Sequence, residues 1–327
     1  SSEEQQKLNK FIDARKPFAF PVVADNSNSF ISLFQPPSYP YTIVLNSKGT
    51  IIEVTDAAAL NSEDIRGWLQ QKNDTSHVSA TIIKPVPTLA ITKSSNPLVN
   101  LSQQFIYAAK TGEAVEPLTM KLKDLPYDSL KNSLSSDKEK KAFWINLYNG
   151  YTQMILKADP DKYKDRNKFF KARQIEVAGI MFSLDDIEHG ILRHSKIKWS
   201  LGYLNKLFPG KTEKDLRVGK VDYRIHFALN CGAKSCPPIA FYNPENIDQQ
   251  LDLATKSYLA GEAEYDAENN VVKLPALMNW FRHDFGGKKK MKLLLKNIQI
   301  IPEESNPKIK FKKYDWNLFL DHYKANG

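Results

Sequence analysis

The chain has 327 residues, of which 42% are hydrophobic and 25% are charged, and its formal net charge at pH 7 is +9. This length and composition are typical of a globular protein with room for two domains. No run of about 18 or more apolar residues occurs, so we expect no transmembrane segment. Lysines and arginines alternate with acids, and no nucleic-acid-binding motif accompanies them. We therefore expect no specific nucleic-acid partner, and weak attraction to an anionic surface is the better interpretation of the basic excess.

The first 72 residues predict a small α/β module. Two β-branched runs, residues 41–45 and 50–54, flank a turn that contains Gly49 and therefore predict a β-hairpin. The other elements predicted in this region are helices at 3–16 and 29–35, a strand at 20–25 and a helix capped by Asn61 or Ser62.

This order of elements, with Pro40 just before the hairpin, resembles the second half of the thioredoxin fold of thiol-disulfide oxidoreductases and peroxiredoxins. The resemblance implies a cis peptide at Tyr39–Pro40 and a module through which a protein partner binds. No Cys-x-x-Cys precedes it, so redox activity is not implied, and a small capping module without a site is the favoured interpretation.

Residues 73–97 predict an extended linker, since they are polar and contain Pro85, Pro87 and Pro97. One strand is predicted within this linker, at residues 80–83. The second domain, residues 98–327, is predicted to be α+β and mainly helical with a small sheet. Its predicted helices are 101–111, 138–157, 184–193 and 246–259, with a further helix starting after Gly286–Gly287, and its predicted strands are 222–229, 271–274 and 308–313.

The predicted helix 138–157 is apolar nearly all round between Phe143 and Leu156, a pattern typical of a buried helix. Asn146, Asn149 and Gln153 share one stripe of it. These amides either form the polar wall of a ligand-binding cleft or bond to the backbone of a neighbouring loop, and the second interpretation is favoured because buried polar groups are normally satisfied.

The predicted helix 184–193 places Asp185, Glu188 and His189 within about one and a half turns. Asp185 and His189 are four residues apart, so the carboxylate is expected to pair with the imidazole and orient it. Such an Asp–His pair is more often a surface pair than a catalytic one, and Glu188 and His189 are the candidate site residues of this helix.

Cys231 and Cys236 are the two cysteines of the chain. They lie in a glycine-bearing loop that follows His226 and the predicted strand, a place where reactive groups are commonly displayed. Cys231, with His226 or His189 as base and Asn146 or Asn149 as orienting amide, predicts a Cys/His/Asn catalytic arrangement, with Ser235 as a binding residue. The alternative is a disulfide between the two cysteines. No zinc-ligand spacing is present, so we expect neither a metal nor another cofactor.

Several motifs in this domain together resemble the DUF547 family over residues 98–323. They are 143–149 (FWINLYN), 186–193 (DIEHGILR), 225–232 (IHFALNCG) with 235–237 (SCP), 280–285 (WFRHDF) and 314–317 (YDWN). The resemblance implies a site built from the helix bearing Asn146 and Asn149, the Glu188–His189 pair and His226, with no established activity. The architecture is also loosely similar to papain and transglutaminases, although those enzymes carry their cysteine at the start of the buried helix, where this chain has none.

Three hypotheses follow for the function. The polar cleft binds a peptide or small molecule, or Cys231 is the nucleophile of a hydrolase or acyl transferase, or Cys231 and Cys236 form a redox pair. The first is favoured. The paired cysteines and the thioredoxin-like companion predict an extracytoplasmic location, in the bacterial periplasm or at the cell surface, with the signal peptide not part of this chain.

Overall fold

The computed structural model of the chain describes residues 42–45, 51–55 and 94–322. The first two segments are the strands β1 (Thr42–Leu45) and β2 (Ile51–Thr55), which pair antiparallel with Ile43 opposite Val54. The predicted hairpin pairing is thus confirmed. The other elements predicted before residue 94, including Tyr39–Pro40 and the linker strand at 80–83, lie outside the described residues.

Residues 94–322 form an α+β structure in which helices predominate. Among them, no helix combines the length and apolar character needed to cross a bilayer. The α-helices are α1 (Pro97–Thr111), α2 (Glu116–Lys123), α3 (Tyr127–Ser133), α4 (Asp137–Ala158), α5 (Arg166–Lys171), α6 (Lys211–Leu216), α7 (Ile247–Glu262), α8 (Ala276–Trp280) and α9 (Gly287–Asn297). The strands of this region are β3 (Ile175–Val177), β4 (Ile180–Phe182), β5 (Glu264–Asp266), β6 (Val271–Leu274) and β7 (Lys308–Phe311). Short 3₁₀ helices at Pro160–Asp165, Lys198–Ser200 and Tyr223–Phe227 and a π-helix at Asp186–Leu192 complete the regular structure of this region.

Helix α4 lies at the centre of the larger core. Ser136 and Glu139 form a capping box at its start: the Glu139 backbone N–H donates to Ser136 Oγ at 3.2 Å, and the Ser136 N–H donates to Glu139 Oε2 at 2.8 Å. The helix ends just before Asp159-Pro160, as proline requires. Every residue from 141 to 153 is buried, which confirms the burial predicted from the apolar pattern.

A close crossing joins α1 to α4. A Cβ atom at Gly150 would lie 2.6 Å from the Phe105 ring, so only glycine permits this approach. The Phe105 and Tyr151 rings pack 4.6 Å apart beside it. This close packing fixes the position of α1 against α4.

A second core lies under a three-stranded sheet of order β5-β6-β7, in which β5 and β6 are antiparallel and β6 and β7 parallel. Val272 pairs with Ile309, and both are buried with side chains of α7 and α9. Lys308 and Lys310 flank Ile309 on the exposed side, which confirms the half-buried strand predicted from this alternation. The chain after β7 returns towards the loop that carries the cysteines.

The predicted strand at 222–229 is wrong. Residues Tyr223–Phe227 form a 3₁₀ helix, started by the Asp222 side chain, which accepts from the Arg224 N–H at 3.1 Å. Ile225, His226 and Phe227 are all buried, so the apparent alternation does not separate an inner from an outer face. Local side-chain capping together with burial on all sides outweighs strand propensity here.

Candidate functional site

Four of the predicted site residues line one pocket of about 380 Å³: Glu188, His189, His226 and Cys231. The volume suits a small molecule or one or two side chains of a peptide. Most of the remaining wall is aromatic, contributed by Tyr148, Phe170, Trp199, Trp280, Phe281, Tyr314 and Trp316.

The π-helix supplies Glu188 and His189. The Arg193 N–H donates to the Glu188 carbonyl at 2.9 Å, and the Ser195 N–H donates to the Gly190 carbonyl at 2.8 Å, both five residues back. The predicted helix is therefore present, but wound more widely than an α-helix. Such π turns are rare and frequently occur at functional sites.

His189 is held as a neutral imidazole. Arg193 Nη1 lies 2.9 Å from His189 Nδ1, and because a guanidinium only donates, Nδ1 accepts and the proton is on Nε2. Burial, and then the charge of Arg193, lower the pKa of His189 well below its usual value. The predicted partner Asp185 is near, with Oδ1 3.6 Å from Nε2, which is beyond hydrogen-bond distance.

His226 is positioned by a carboxylate that lies 58 residues away in sequence. Its Nε2 donates to Asp284 Oδ2 at 2.9 Å, and Arg193 Nε donates to the same oxygen at 2.7 Å. The imidazole stacks on Phe281 at 3.9 Å with an angle of 6° between the rings. Burial lowers the pKa of His226 to about 4, although Asp284 opposes the shift. Burial raises the pKa of Asp284, but the bonds from His226 and Arg193 outweigh it and hold that pKa below its usual value.

Glu188 is a buried acid that titrates near neutrality. Burial raises its pKa to about 7, although the positive charge of Arg193 opposes the shift. Tyr148 on α4 donates its hydroxyl to Glu188 Oε2 at 3.2 Å. A carboxyl group of this kind exchanges a proton at physiological pH, which an ordinary surface glutamate does not.

The two cysteines are free thiols whose Sγ atoms lie 2.8 Å apart. Cys231 is half-buried and faces the pocket, whereas Cys236 is buried behind it. The Tyr314 hydroxyl reaches both sulfurs, at 3.4 Å from Cys231 and 3.1 Å from Cys236. The disulfide predicted as an alternative is not formed here, but the sulfurs are already adjacent.

The surroundings shift the pKa values of the two thiols in opposite directions. Hydrogen bonding from Cys236 lowers the pKa of Cys231, burial opposes this effect, and the Tyr314 hydroxyl adds to it. Burial raises the pKa of Cys236 well above its usual value. The pocket-facing thiol is thus the first of the pair to ionise, the condition for a nucleophilic cysteine.

The cysteine loop, residues 231–236, is fixed from both sides. Asn230 closes it, since its Oδ1 accepts from the Gly232 N–H and its Nδ2 donates to the Pro237 carbonyl. Gly232 has φ +86°, and a Cβ there would lie 2.8 Å from Leu156, so glycine is required. Ser235, predicted as a binding residue, instead accepts the Asp315 N–H at 2.9 Å through its hydroxyl.

The amide stripe of α4 lies apart from the pocket wall. Asn146 exchanges two hydrogen bonds with the Tyr242 backbone, both at 2.9 Å. Asn149 donates to the Ala228 carbonyl and accepts from the Asn230 N–H. Gln153 accepts from the Asp321 N–H at 2.9 Å. These three amides hold neighbouring segments by their backbones, as the favoured interpretation expected.

The Cys/His/Asn arrangement is therefore not assembled as a hydrogen-bonded triad. Within residues 94–322, Cys231 has no hydrogen bond to a histidine; His226 is bonded to Asp284 and His189 to Arg193. Asn146 is bonded to backbone elsewhere.

Sequence reasoning missed the residues that orient the site: Arg193, Asp284, Tyr148 and Tyr314. All four lie in motifs that carried the family resemblance: Tyr148 in 143–149, Arg193 at the end of 186–193, Asp284 in 280–285 and Tyr314 in 314–317. Their position within those motifs was the signal available in the sequence.

In the described part of the chain, no group of three or more His, Cys, Asp or Glu side chains is arranged to hold a metal ion.

Comparison with known proteins gives one family match. Neither the curated proteins nor the solved structures gave a match. Residues 132–259, which include α4, the π-helix and the cysteine loop, match the family model described as "Protein of unknown function, DUF547".

Proposed function

We propose that the pocket binds an apolar small molecule or short peptide and performs thiol–disulfide exchange on it with Cys231 and Cys236. The observation that carries the proposal is the adjacency of the two free sulfurs, 2.8 Å apart, with one facing the pocket. Two thiols in contact can close a disulfide with little backbone movement.

The two cysteines have different roles in the proposed reaction. The Cys231 thiolate attacks one sulfur of a substrate disulfide, which forms a mixed disulfide and releases the other substrate sulfur as a thiolate that takes up a proton. Cys236 then loses its proton and attacks the Cys231 sulfur. This step releases the second substrate thiolate and leaves a Cys231–Cys236 disulfide. The substrate disulfide gains two electrons, and the protein dithiol loses them.

The proton of the second step needs an acceptor in the pocket. Cys236 must ionise although burial raises its pKa, so attack requires a group that takes its proton. Glu188 lines the same pocket with a pKa of about 7, and its negative charge raises the pKa of Cys231. We assign to Glu188 the role of proton acceptor in oxidation of the dithiol and of proton donor in its reduction.

The wall of the pocket supports an apolar ligand. Trp280 and Trp316 stack at 5.5 Å with 16° between their planes, and Tyr314 packs 4.5 Å from Trp316. Flat aromatic surfaces of this kind bind aromatic or aliphatic groups next to a reactive centre.

A cysteine-dependent hydrolase or acyl transferase is the second candidate. The lowered pKa of Cys231 favours it, because such enzymes also need a thiolate. The absence of a hydrogen bond between Cys231 and a histidine among the described residues argues against it. The loose similarity of the architecture to papain and transglutaminases would be explained by this second candidate.

Two parts of the proposal rest on sequence alone. An extracytoplasmic location agrees with dithiol chemistry, because disulfides persist in such compartments. The thioredoxin-like module at residues 1–72 is proposed as the place where a protein partner binds.

The test is a redox titration of the full chain in glutathione buffers of graded potential, with mass spectrometry to detect loss of two hydrogens. We expect a single two-electron transition in the wild type and none in Cys231→Ser or Cys236→Ser. In oxidised glutathione, Cys236→Ser should accumulate a mixed disulfide on Cys231, whereas Cys231→Ser should acquire little.

Three outcomes would count against the proposal. A Cys231–Cys236 disulfide that is not reduced at any redox potential found in cells would show that the pair is a structural disulfide. Alkylation of Cys231 that begins only above pH 8 would exclude an activated thiol and leave ligand binding alone. Release of an acyl or ester product without any redox transition would favour the hydrolase.

A further inference from the structure

One loop exposes an unusual set of large apolar side chains. Trp199, Leu207 and Phe208 are 76%, 86% and 93% exposed. Leu201, Tyr203 and Leu204 on the same loop are exposed as well. We call residues 197–210 the apolar loop. Isolated exposed hydrophobic residues are normal, but six within ten residues indicate an interaction surface.

The apolar loop is ordered by its own backbone. The Ile197 N–H donates to the Leu204 carbonyl at 2.9 Å, and the Lys206 N–H donates to the Ser195 carbonyl at 2.8 Å. Leu201 adopts φ +53°, a left-handed conformation that a leucine rarely takes. The loop is therefore an ordered structure that holds its apolar side chains towards solvent.

Lysines outnumber acids along this loop and the helix that follows it. The segment from 196 to 214 contains a single acid, Glu213, and five lysines, Lys196, Lys198, Lys206, Lys211 and Lys214. Lys198 pairs with Asp185 and Lys206 with Glu213. Among the described residues, no ion pair involves Lys196 or Lys214, so these two keep their charge available for a partner, whereas Lys211 lies close enough to Asp215 to help lower the pKa of that carboxyl group.

We infer that the apolar loop docks the protein on the surface of an anionic lipid bilayer, with Trp199, Leu207 and Phe208 inserted into the headgroup region. Aromatic and aliphatic side chains bind favourably at that depth, and adjacent lysines are attracted to acidic headgroups. A second copy of the chain fits less well, because a symmetric contact through this loop would bring two sets of lysines together.

Docking in this orientation has a consequence for the pocket. Trp199 and Leu201 belong both to the apolar loop and to the pocket wall. The mouth of the pocket therefore lies beside the membrane surface, where apolar ligands concentrate. The inference itself does not rest on the proposed thiol chemistry, and it is tested without reference to the cysteines.

The experiment is vesicle co-sedimentation of the full chain. Vesicles of phosphatidylcholine with about a third phosphatidylserine are compared with phosphatidylcholine alone. We expect the wild type to bind the anionic vesicles, and Leu207→Ser/Phe208→Ser to bind about tenfold or more weakly, because two large apolar side chains no longer insert. Lys211→Gln/Lys214→Gln should weaken binding to the anionic vesicles and reduce its dependence on salt.

Met120→Ser is the matched control, since Met120 is an exposed apolar residue far along the chain from the loop, and it should bind as the wild type does. Circular dichroism verifies that each variant is folded. Absence of wild-type binding, or binding that Leu207→Ser/Phe208→Ser leaves unchanged, would overturn the inference. So would a dimer in sedimentation velocity that this variant abolishes, since the occupant would then be a second copy.

Discussion

Two buried polar regions of this protein differ in how their groups are satisfied. The amide stripe of α4, Asn146, Asn149 and Gln153, is bonded to backbone groups of neighbouring segments. By contrast, the pocket cluster consists of ionisable groups bonded to one another, namely Tyr148 with Glu188, and His189, Arg193, Asp284 and His226 in a chain. Burial raises the pKa of Glu188 and lowers the pKa values of His189 and His226. Neutral amides paired with backbone hold a fold together, whereas charged groups paired in a pocket remain able to change state.

Both regions contain a buried atom without a hydrogen-bond partner, but only beside the pocket does that atom belong to a charged group. In the described region, these atoms are Gln153 Nε2 in the amide stripe and Asp284 Oδ1 and Arg193 Nη2 beside the pocket. A buried charged atom without a partner is expensive, and a folded protein retains one chiefly where function requires it. The two regions should therefore respond differently to substitution, and the following predictions are ordered from the largest expected effect on stability to the smallest.

Asn146→Ala should destabilise the fold by roughly 4 kcal/mol, because it leaves the buried N–H and carbonyl of Tyr242 unpaired and opens a small cavity. The measurement is urea unfolding at pH 7. Asn297→Ala, at an exposed asparagine at the end of α9, is the control and should change stability little. If Asn146→Ala is nearly as stable as the wild type, the amide stripe is not architectural.

His226→Gln should alter the pH dependence of stability rather than stability at neutral pH. The unfolded chain protonates this histidine below about pH 6.5, whereas the folded protein does so only near pH 4. Neutral His226 therefore makes the wild type lose stability as pH falls from 6.5 to 4, by up to roughly 3 kcal/mol. The advantage of the variant over the wild type, from urea unfolding at several pH values, should therefore be largest near pH 4 and should vanish as pH rises to about 6.5. A constant difference would show that His226 titrates normally.

Glu188→Gln should have the opposite sign. Because the folded pKa of about 7 exceeds the unfolded value, ionisation of Glu188 destabilises the wild type progressively between about pH 4.5 and 7. The variant should be more stable than the wild type at pH 8, by about 2 kcal/mol after allowance for the partial opening of the pocket to water, and no more stable at pH 4. Thermal unfolding at the two pH values measures this, and a gain of equal size at both would refute the assignment. Lower thiol-exchange activity in the stabilised variant would be the expected trade-off.

The contrast between the two regions also explains what the sequence could predict. Helix α4 was predictable because its cap at Ser136, its apolar pattern and its Asp159-Pro160 end all lie within the helix or next to it. The strand at 222–229 was wrong because Ile225 and Phe227 alternate in sequence while His226 between them is buried as well. Local patterns report local structure, and burial from all sides is a tertiary property.

The sequence predicted Glu188, His189, His226 and Cys231 as site residues, and the structure places all four in the wall of one pocket, but the hydrogen-bond partners of these residues were not predicted. Arg193 and Asp284 are 91 residues apart, and Cys231 and Tyr314 are 83 apart. No periodicity links such distant positions, so the partner that orients His226 and the tyrosine that bonds Cys231 become visible only in three dimensions.

Tyr314→Phe should leave the fold almost unchanged, by less than about 1 kcal/mol, while it raises the pKa of Cys231. The reason is that the hydroxyl bonds both sulfurs and stabilises the thiolate, whereas the phenyl ring keeps its packing against Trp280 and Trp316. The rate of iodoacetamide labelling of Cys231 against pH measures the shift, with Tyr265→Phe on β5 as the control. A labelling profile that does not move would mean that Cys236 alone lowers the pKa of Cys231. A large loss of stability would instead place Tyr314 with the amide stripe, among the groups that hold the fold, and would erase the distinction between the two regions at that residue.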